Sequence, residues 1–221
     1  MRSITYVAEL GSMHKRNKSL AYEMMRQAKA AGATIAKFQF GWPKEDLTRY
    51  VDDWADDIAQ WSNAIGIEWM ASIFSQDGLS VAQGVGADKY KVAHQIALDP
   101  AQVALVNSII GENKPVYISG LVHSSPNAYS IYVHADTYPT YEPHMPKHFT
   151  DYYGYSSHAH GIGDALLAIG RGAQYVEKHF CLDKTDPHVR DTSFSLSPSE
   201  FGDLVKYGNE IATALGDRHT Q

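Results

Sequence analysis

The sequence predicts a (β/α)8 TIM barrel, and three observations predict it. Eight short strand-type runs alternate with helical runs along the 221 residues, the pattern that builds a parallel sheet wrapped by helices. Neither an internal repeat nor a Pro/Gly-rich linker divides the chain, so residues 1–221 read as one domain. The competing architecture is a doubly wound open sheet, and the first strand lacks the Gly-rich turn of its dinucleotide-binding form. A barrel typically has roughly 250 residues, so this one is compact.

The elements follow in order. Ile4–Glu9 is a β-type run that ends on a carboxylate shortly before Gly11. Ser19 is placed to cap a helix through Ala31, with Leu20, Met24, Met25 and Ala28 on the apolar face and Gly32 as its stop. Thr34–Phe40 is the second strand, and period-two alternation puts Lys37 and Gln39 on one face. Trp54, Ile58 and Trp61 recur at helical spacing over 51–64 and read as packing against the barrel. Ile67–Ile73 is the third strand, a short helix covers 77–84, and Asp88–Ala93, with Lys91 inside it, is the fourth strand. Pro100 opens a helix to about Ile110. Pro115–Ser119 and Ser130–His134 are the fifth and sixth strands, with little room for a helix between them. An irregular Pro- and His-rich segment then runs to about Thr150. Tyr152–Ser157, the helical run Ile162–Ile169 and Gln174–Phe180 form a β-α-β unit that supplies strands seven and eight. Ser197-Pro198-Ser199-Glu200 starts the last helix, through Leu215, with a capping-type signal.

Composition narrows the function classes. A formal charge of −6 gives no reason to expect nucleic-acid binding, so an anionic ligand needs a local basic pocket. The single cysteine, Cys181, excludes an intramolecular disulfide framework and suits a reducing compartment. No apolar run approaches the roughly 18 residues of a membrane span. Residues 1–10 lack a signal-peptide pattern. The expected setting is cytoplasmic, without membrane or nucleic-acid partners.

The β-α-β unit carries the main functional signal. Its two strands are parallel, so His158 after the first and His179 at the end of the second emerge at one sheet edge, beside Ser156, Glu177 and Lys178. A lone histidine at a strand end is ordinary; two on adjacent strands point to a site. A barrel gathers at that same edge Glu9, Lys37, Gln39, Ser72, Lys91, His94, Ser119, His134, Asp136 and Tyr138. Lys37, Lys91, Ser119 and Ser156 suit a phosphate. His158 and His179, helped by His134 or a water, suit a divalent metal. Glu9 and Glu177 are candidates for sugar hydroxyls or proton transfer. The bland reading of the lysines is a salt bridge filling a barrel layer, although two buried unpaired lysines are expensive. His14, His123, His144, His148 and His188 sit in loops and are assigned no role.

The motifs resemble the barrel domain of the N-acetylneuraminate (sialic acid) synthases. The matching pieces are Ala8-Glu9-Leu10-Gly11-Ser12-Met13-His14, Gly32-Ala33-Thr34-Ile35-Ala36-Lys37-Phe38-Gln39, and Pro115–Ser119 followed by Gly120. Further on come Tyr138-Pro139, Gly154-Tyr155-Ser156-Ser157-His158 with Gly161-Ile162, Glu177-Lys178-His179-Phe180, and Phe194-Ser195-Leu196. The resemblance implies an enzyme that condenses phosphoenolpyruvate with an aldose such as N-acetylmannosamine or a related 2-acetamido sugar, giving a sialic-acid-like 2-keto acid and phosphate. It implies His158 and His179 as ligands of Mn2+ or Mg2+. Lys37, Lys91, Ser119 and Ser156 are then assigned to phosphoenolpyruvate, and Glu9, Gln39, Tyr138, Glu177 and Asp191 to the sugar. Ser72, His94 and Asp136 join the expected substrate-binding set, and Glu9, Glu177 and Lys37 the expected catalytic set.

The sequence also departs from the family pattern. After the strand-four lysine the family carries a serine and then a glutamate, where this chain has His94 and Ile96. The family's Cys-Thr after strand six is His134-Ala135, and its Asp-His before Phe-Ser-Leu is Asp191-Thr192-Ser193. The family's C-terminal antifreeze-like domain, which brings a sugar-contacting arginine to a partner subunit, is not expected in this chain. Self-association as a C2 homodimer stays open. These departures leave two further readings: a catalytically impaired barrel kept as a binding or partner subunit, and another metal-dependent barrel lyase or aldolase.

Overall fold

The computed structural model describes residues 3–46, 48–134, 139–185 and 191–216. Eight parallel strands pair each with the next, and the last closes on the first. They are β1 Thr5–Glu9, β2 Ile35–Phe40, β3 Glu68–Ile73, β4 Tyr90–Val92, β5 Val116–Ser119, β6 Ala128–Val133, β7 Gly154–Ser157 and β8 Tyr175–His179. The outer helices are α1 Lys18–Ala30, α2 Ala55–Ile65, α3 Gln76–Gly84, α4 His94–Ala97, α5 Val103–Gly111, α6 Gly163–Gly170 and α7 Pro198–Leu215. The predicted barrel is the observed fold, and no helix among the described residues is long and apolar enough to cross a membrane.

Local chemistry accounts for most boundaries. α1 is capped by Asn17, whose side-chain oxygen accepts from the Leu20 amide at 3.0 Å, so the helix begins ahead of the predicted Ser19 cap. Both residues are good caps, and the competition turned on which one took an extended backbone. Pro100 opens a 3-10 turn, Pro100–Gln102, before α5 proper. α7 has the predicted capping box: Glu200 accepts from the Ser197 amide at 2.8 Å, and Ser197 Oγ accepts from the Glu200 amide. The one-turn helix α4 was not expected.

No helix lies between β5 and β6, as the short spacing required. Between β6 and β7 the described residues form an irregular strap in place of a helix. Its Met145 and Phe149 pack with Tyr132 against Tyr155, Ala168 and Ala173. Arg171 ties the strap down by donating to the Met145 and Pro146 carbonyls at 3.2 Å each.

The strands bury both faces. Outward residues such as Ala8, Phe38, Val92 and Ile118 join the helices in one large core. Inward residues divide the lumen by height. Its floor is apolar: Val7, Ile35, Met70, Ile131, Tyr117 and Tyr175 pack together, with Tyr117 stacked on Tyr129 and Tyr175 at 5.2 and 4.9 Å. Gly154 is needed there because a Cβ would lie 2.4 Å from the Tyr175 carbonyl oxygen. One step nearer the C-terminal ends, the same alternation turns Glu9, Lys37, Lys91 and Glu177 toward the lumen. Barrel sites form at that end.

Candidate active site

A cavity of about 460 Å³ opens at the C-terminal mouth of the barrel. Of the predicted site residues, Glu9, Lys37, Gln39, Ser72, Lys91, His94, Ser119, Ser156, His158, Glu177, His179 and Asp191 all line it. Asp136 and Tyr138 lie outside the described residues. Strand register accounts for the convergence. Glu9 sits opposite Lys37 and His179, Ser72 opposite Gln39 and Lys91, and Ser156 opposite Glu177.

Glu177 is the hub. It takes Lys37 Nζ at 2.8 Å, Lys91 Nζ at 3.2 Å and Ser156 Oγ at 3.1 Å, and it also accepts from the Tyr175 hydroxyl. Burial pushes its carboxyl up, but Lys37 and Lys91 outweigh that and hold it well below the usual carboxylate range. Tyr175, fully buried against this carboxylate, is pushed well above the ordinary phenol value. Lys37 bridges a second carboxylate, Glu9 Oε2, at 2.7 Å. Neither lysine is therefore unpaired: the buried salt-bridge layer considered from sequence is present. Two buried cations facing two buried carboxylates leave this layer near neutral.

Two hydroxyls in this region stand apart. Ser72 Oγ and Ser119 Oγ are buried at the cavity wall and have no hydrogen-bond partner among the described residues. Buried hydroxyls are normally satisfied, so these two fit an external acceptor. Beside them, His94 reaches over Gly120, whose φ of 87° and missing Cβ leave room for the imidazole. A Cβ at Gly120 would stand 2.2 Å from His94 Nδ1.

Across the mouth, the His158 and His179 ring centroids are 5.5 Å apart, and Phe194 packs edge-on to both. Burial lowers the His179 pKa to about 3, and the neighbouring Lys37 adds to the effect. Burial, and then His179 itself, hold His158 well below its ordinary value. Both imidazoles are thus neutral at physiological pH, the form in which nitrogen lone pairs can bind a metal. Asp191 Oδ2 lies 3.8 Å from His179 Nδ1, a carboxylate behind the ring. Among the described residues no cluster of three His, Cys, Asp or Glu forms a fuller donor set. His134, considered as a helper from sequence, is turned elsewhere: it packs edge-on to His144, ring centroids 5.3 Å apart, and accepts from its amide.

The sequence did not single out the outer wall. Trp42, Thr48 and Arg49 from the β2–α2 loop line the cavity together with Phe74 and Gln95. Trp42 is sandwiched, with the Phe74 ring at 4.5 Å and the Arg49 guanidinium 3.5 Å from its centroid. Its indole N–H donates to Gln39 Oε1 at 3.0 Å, and Gln39 Nε2 donates to Glu9 Oε1 at 2.8 Å. The available signal was positional, since every loop after a barrel strand belongs to the functional face. Ile96 is buried in the apolar core and does not line the cavity.

Known proteins resemble this chain in sequence and in fold. Residues 140–220 match the NeuB family. Pseudaminic acid synthase of Campylobacter jejuni subsp. jejuni is 25% identical over an alignment covering 98% of this chain and 76% of that protein. N,N'-diacetyllegionaminic acid synthase of Legionella pneumophila is also 25% identical, with 95% of this chain and 72% of that protein covered. The crystal structure of the N-acetylneuraminic acid synthetase of Leptospira borgpetersenii, in complex with citrate, superposes with a TM-score of 0.83. That match has 22% identity, covers 99% of this chain and 87% of the other, and shows the shared fold. The chain is thus similar in sequence to these sugar-acid synthases, and similar in fold to the synthetase structure.

Proposed function

We propose that this barrel condenses phosphoenolpyruvate with an open-chain aldose, N-acetylmannosamine or a related 2-acetamido sugar, releasing phosphate and a 2-keto sugar acid. The observation that carries the reading is the pairing, in one cavity, of two buried hydroxyls that have no partner among the described residues, beside buried lysines, with two neutral histidines across the mouth.

In this reading Lys37, Lys91, Ser72, Ser119 and Ser156 hold the phosphate and carboxylate of phosphoenolpyruvate, with His94 beside them. His158 and His179 hold a divalent cation, and two nitrogen donors favour Mn2+ over Mg2+. Such an ion, when bound, would supply Lewis acidity. C3 of phosphoenolpyruvate attacks the aldehyde carbon, so one C–C bond forms and the aldehyde oxygen takes a proton. Water adds at C2 and loses one proton; the C2 hydroxyl so formed gives its own proton to the departing phosphate as the C2–O bond breaks, leaving the 2-keto group.

The chain's own carboxylates manage these protons. The incoming phosphate competes for Lys37 and Lys91, which withdraws what keeps Glu177 ionised and raises its affinity for a proton. Glu177 takes up a proton from solvent as the phosphate binds and gives it to the new alkoxide, while Glu9, oriented by Gln39, takes the proton of the attacking water. Asp191, Trp42 and Arg49 bound the sugar's end of the cavity.

The test is phosphate release from phosphoenolpyruvate with Mn2+ and a panel of 2-acetamido sugars and simpler aldoses. Release is expected only when an acceptor is present. Its absence across the panel supports the second reading, a catalytically impaired binding subunit. The observation favouring that reading is Ile96: it stands in the core where the family places a sugar-contacting carboxylate.

A further inference from the structure

We propose that Lys178 is a positioning residue for the His158–His179 pair, acting from behind the barrel wall. The inference rests on the reading of those histidines as metal ligands. In β8, Glu177 and His179 line the cavity, whereas Lys178 does not and is fully buried. A lysine enclosed there is costly unless its ammonium is fully compensated.

The compensation is a clamp around one peptide segment. Lys178 Nζ donates to Ser157 Oγ at 3.0 Å and to the Ala159 carbonyl at 2.5 Å. Ser157 Oγ donates onward to Asp164 Oδ2 at 2.6 Å, and the Tyr155 hydroxyl donates to the same oxygen at 2.9 Å. Asp164 stands in the first turn of α6 and is itself buried. None of these groups lines the cavity. What they enclose is His158. The residue before it and the residue after it are both bonded to one ammonium, which sits on the strand that ends at His179. The His158 carbonyl is fixed separately, by the Thr140 amide at 3.0 Å.

One group therefore sets where His158 leaves β7 relative to His179. Metal ligands need to be held within about 0.5 Å of their working geometry. Loss of an outer-shell partner typically costs about 10–100-fold in metal affinity. A lysine with only a structural role would alter unfolding and leave the affinity of the folded protein unchanged.

The experiment titrates Mn2+ by electron paramagnetic resonance into the wild-type chain and into Lys178→Met and Ser157→Ala, each checked by circular dichroism. Lys178→Met is expected to weaken binding about 10–100-fold. Ser157→Ala, which keeps the Ala159 bond, should weaken it less, and it substitutes if Lys178→Met does not fold. Histidine-selective 15N NMR on the metal-free protein is the second readout. The His158 and His179 ring signals should move in the variants while those of the distant His14 stay fixed. Folded variants that bind Mn2+ like wild type overturn the clamp. A wild-type protein that binds no Mn2+ overturns the metal reading instead. The clamp is then decided by the ring signals, and unmoved His158 resonances refute it.

Discussion

Glu177→Gln removes the charge on which the buried layer depends, and its cost can be worked from the contacts. Lys37 keeps Glu9 at 2.7 Å, but Lys91, whose side chain is 2% exposed, has no other carboxylate partner in a salt bridge among the described residues. Stranding one partner of a buried ion pair costs about 3–5 kcal/mol. For a chain of this size each kcal/mol moves Tm by roughly 2–4 °C, so a fall of roughly 6–20 °C at pH 7 is expected. Adding Lys91→Met should restore at least ~2 kcal/mol, because the stranded cation is then gone. The pH dependence has a definite sign. Glu177 is depressed in the folded state, so its stabilisation is complete above its ordinary value of 4.5 and is lost as pH falls below that. The gap between wild type and variant should narrow by about 1.4 kcal/mol per pH unit in that range. Thermal and urea unfolding followed by circular dichroism measures all three quantities. A Glu177→Gln variant within about 2 °C of wild type at pH 7, with no rescue by Lys91→Met, refutes the hub.

Other expectations follow from single groups. Ser72→Ala and Ser119→Ala remove hydroxyls without partners among the described residues, so unfolding should stay within about 0.5 kcal/mol of wild type. Calorimetry should nevertheless show phosphoenolpyruvate binding weakened about tenfold by each, the equivalent of one hydrogen bond of about 1.4 kcal/mol. His14 is buried edge-on against Trp54 at 5.3 Å, and burial lowers its pKa to about 4. Its folded value is below its ordinary 6.5, so its contribution is complete above that pH and is lost as pH falls toward 4. His14→Gln should remove about 3 kcal/mol of wild type's acid sensitivity across that window, seen as a flatter plot of urea midpoint against pH. Gly120→Ala combines backbone strain of about 1–2 kcal/mol with displacement of His94, so both Tm and phosphoenolpyruvate affinity should drop.

Strand order and the inward set were legible in the sequence because each barrel strand repeats one instruction. Period-two alternation assigns every residue to lumen or shell, and parallel pairing sends every strand's C-terminal end to one mouth. That is why Glu9, Lys37, Lys91, Glu177 and His179 could be grouped from strands far apart in the chain. The helix starts were less legible where two good caps stood close together, as with Asn17 and Ser19. The strap between β6 and β7 has no period to read, because Met145 and Phe149 are held by long-range packing and by Arg171.

Pairing within the site was legible only in part, for a different physical reason. A residue's type tells what it can bond, but its partner depends on distances that the chain sets elsewhere. Lysines within strands suited either a phosphate or a salt-bridge layer, and only the fold shows that Glu177 and Glu9 are the carboxylates they pair with. His134 looked like a metal helper and is turned to His144. The Trp42 sandwich needs Phe74 from the end of the next strand and Arg49 from the same loop, so no local pattern announces it. The Glu-Lys-His-Phe run shows the contrast most sharply. Alternation alone splits it into two lumen residues and two shell residues. Only the fold reveals that the shell lysine donates to the Ser157 hydroxyl and the Ala159 carbonyl, on either side of His158. In a barrel wall one residue thick, groups on the outer face can set the geometry of the inner one, and the function of such a run is shared between its two faces.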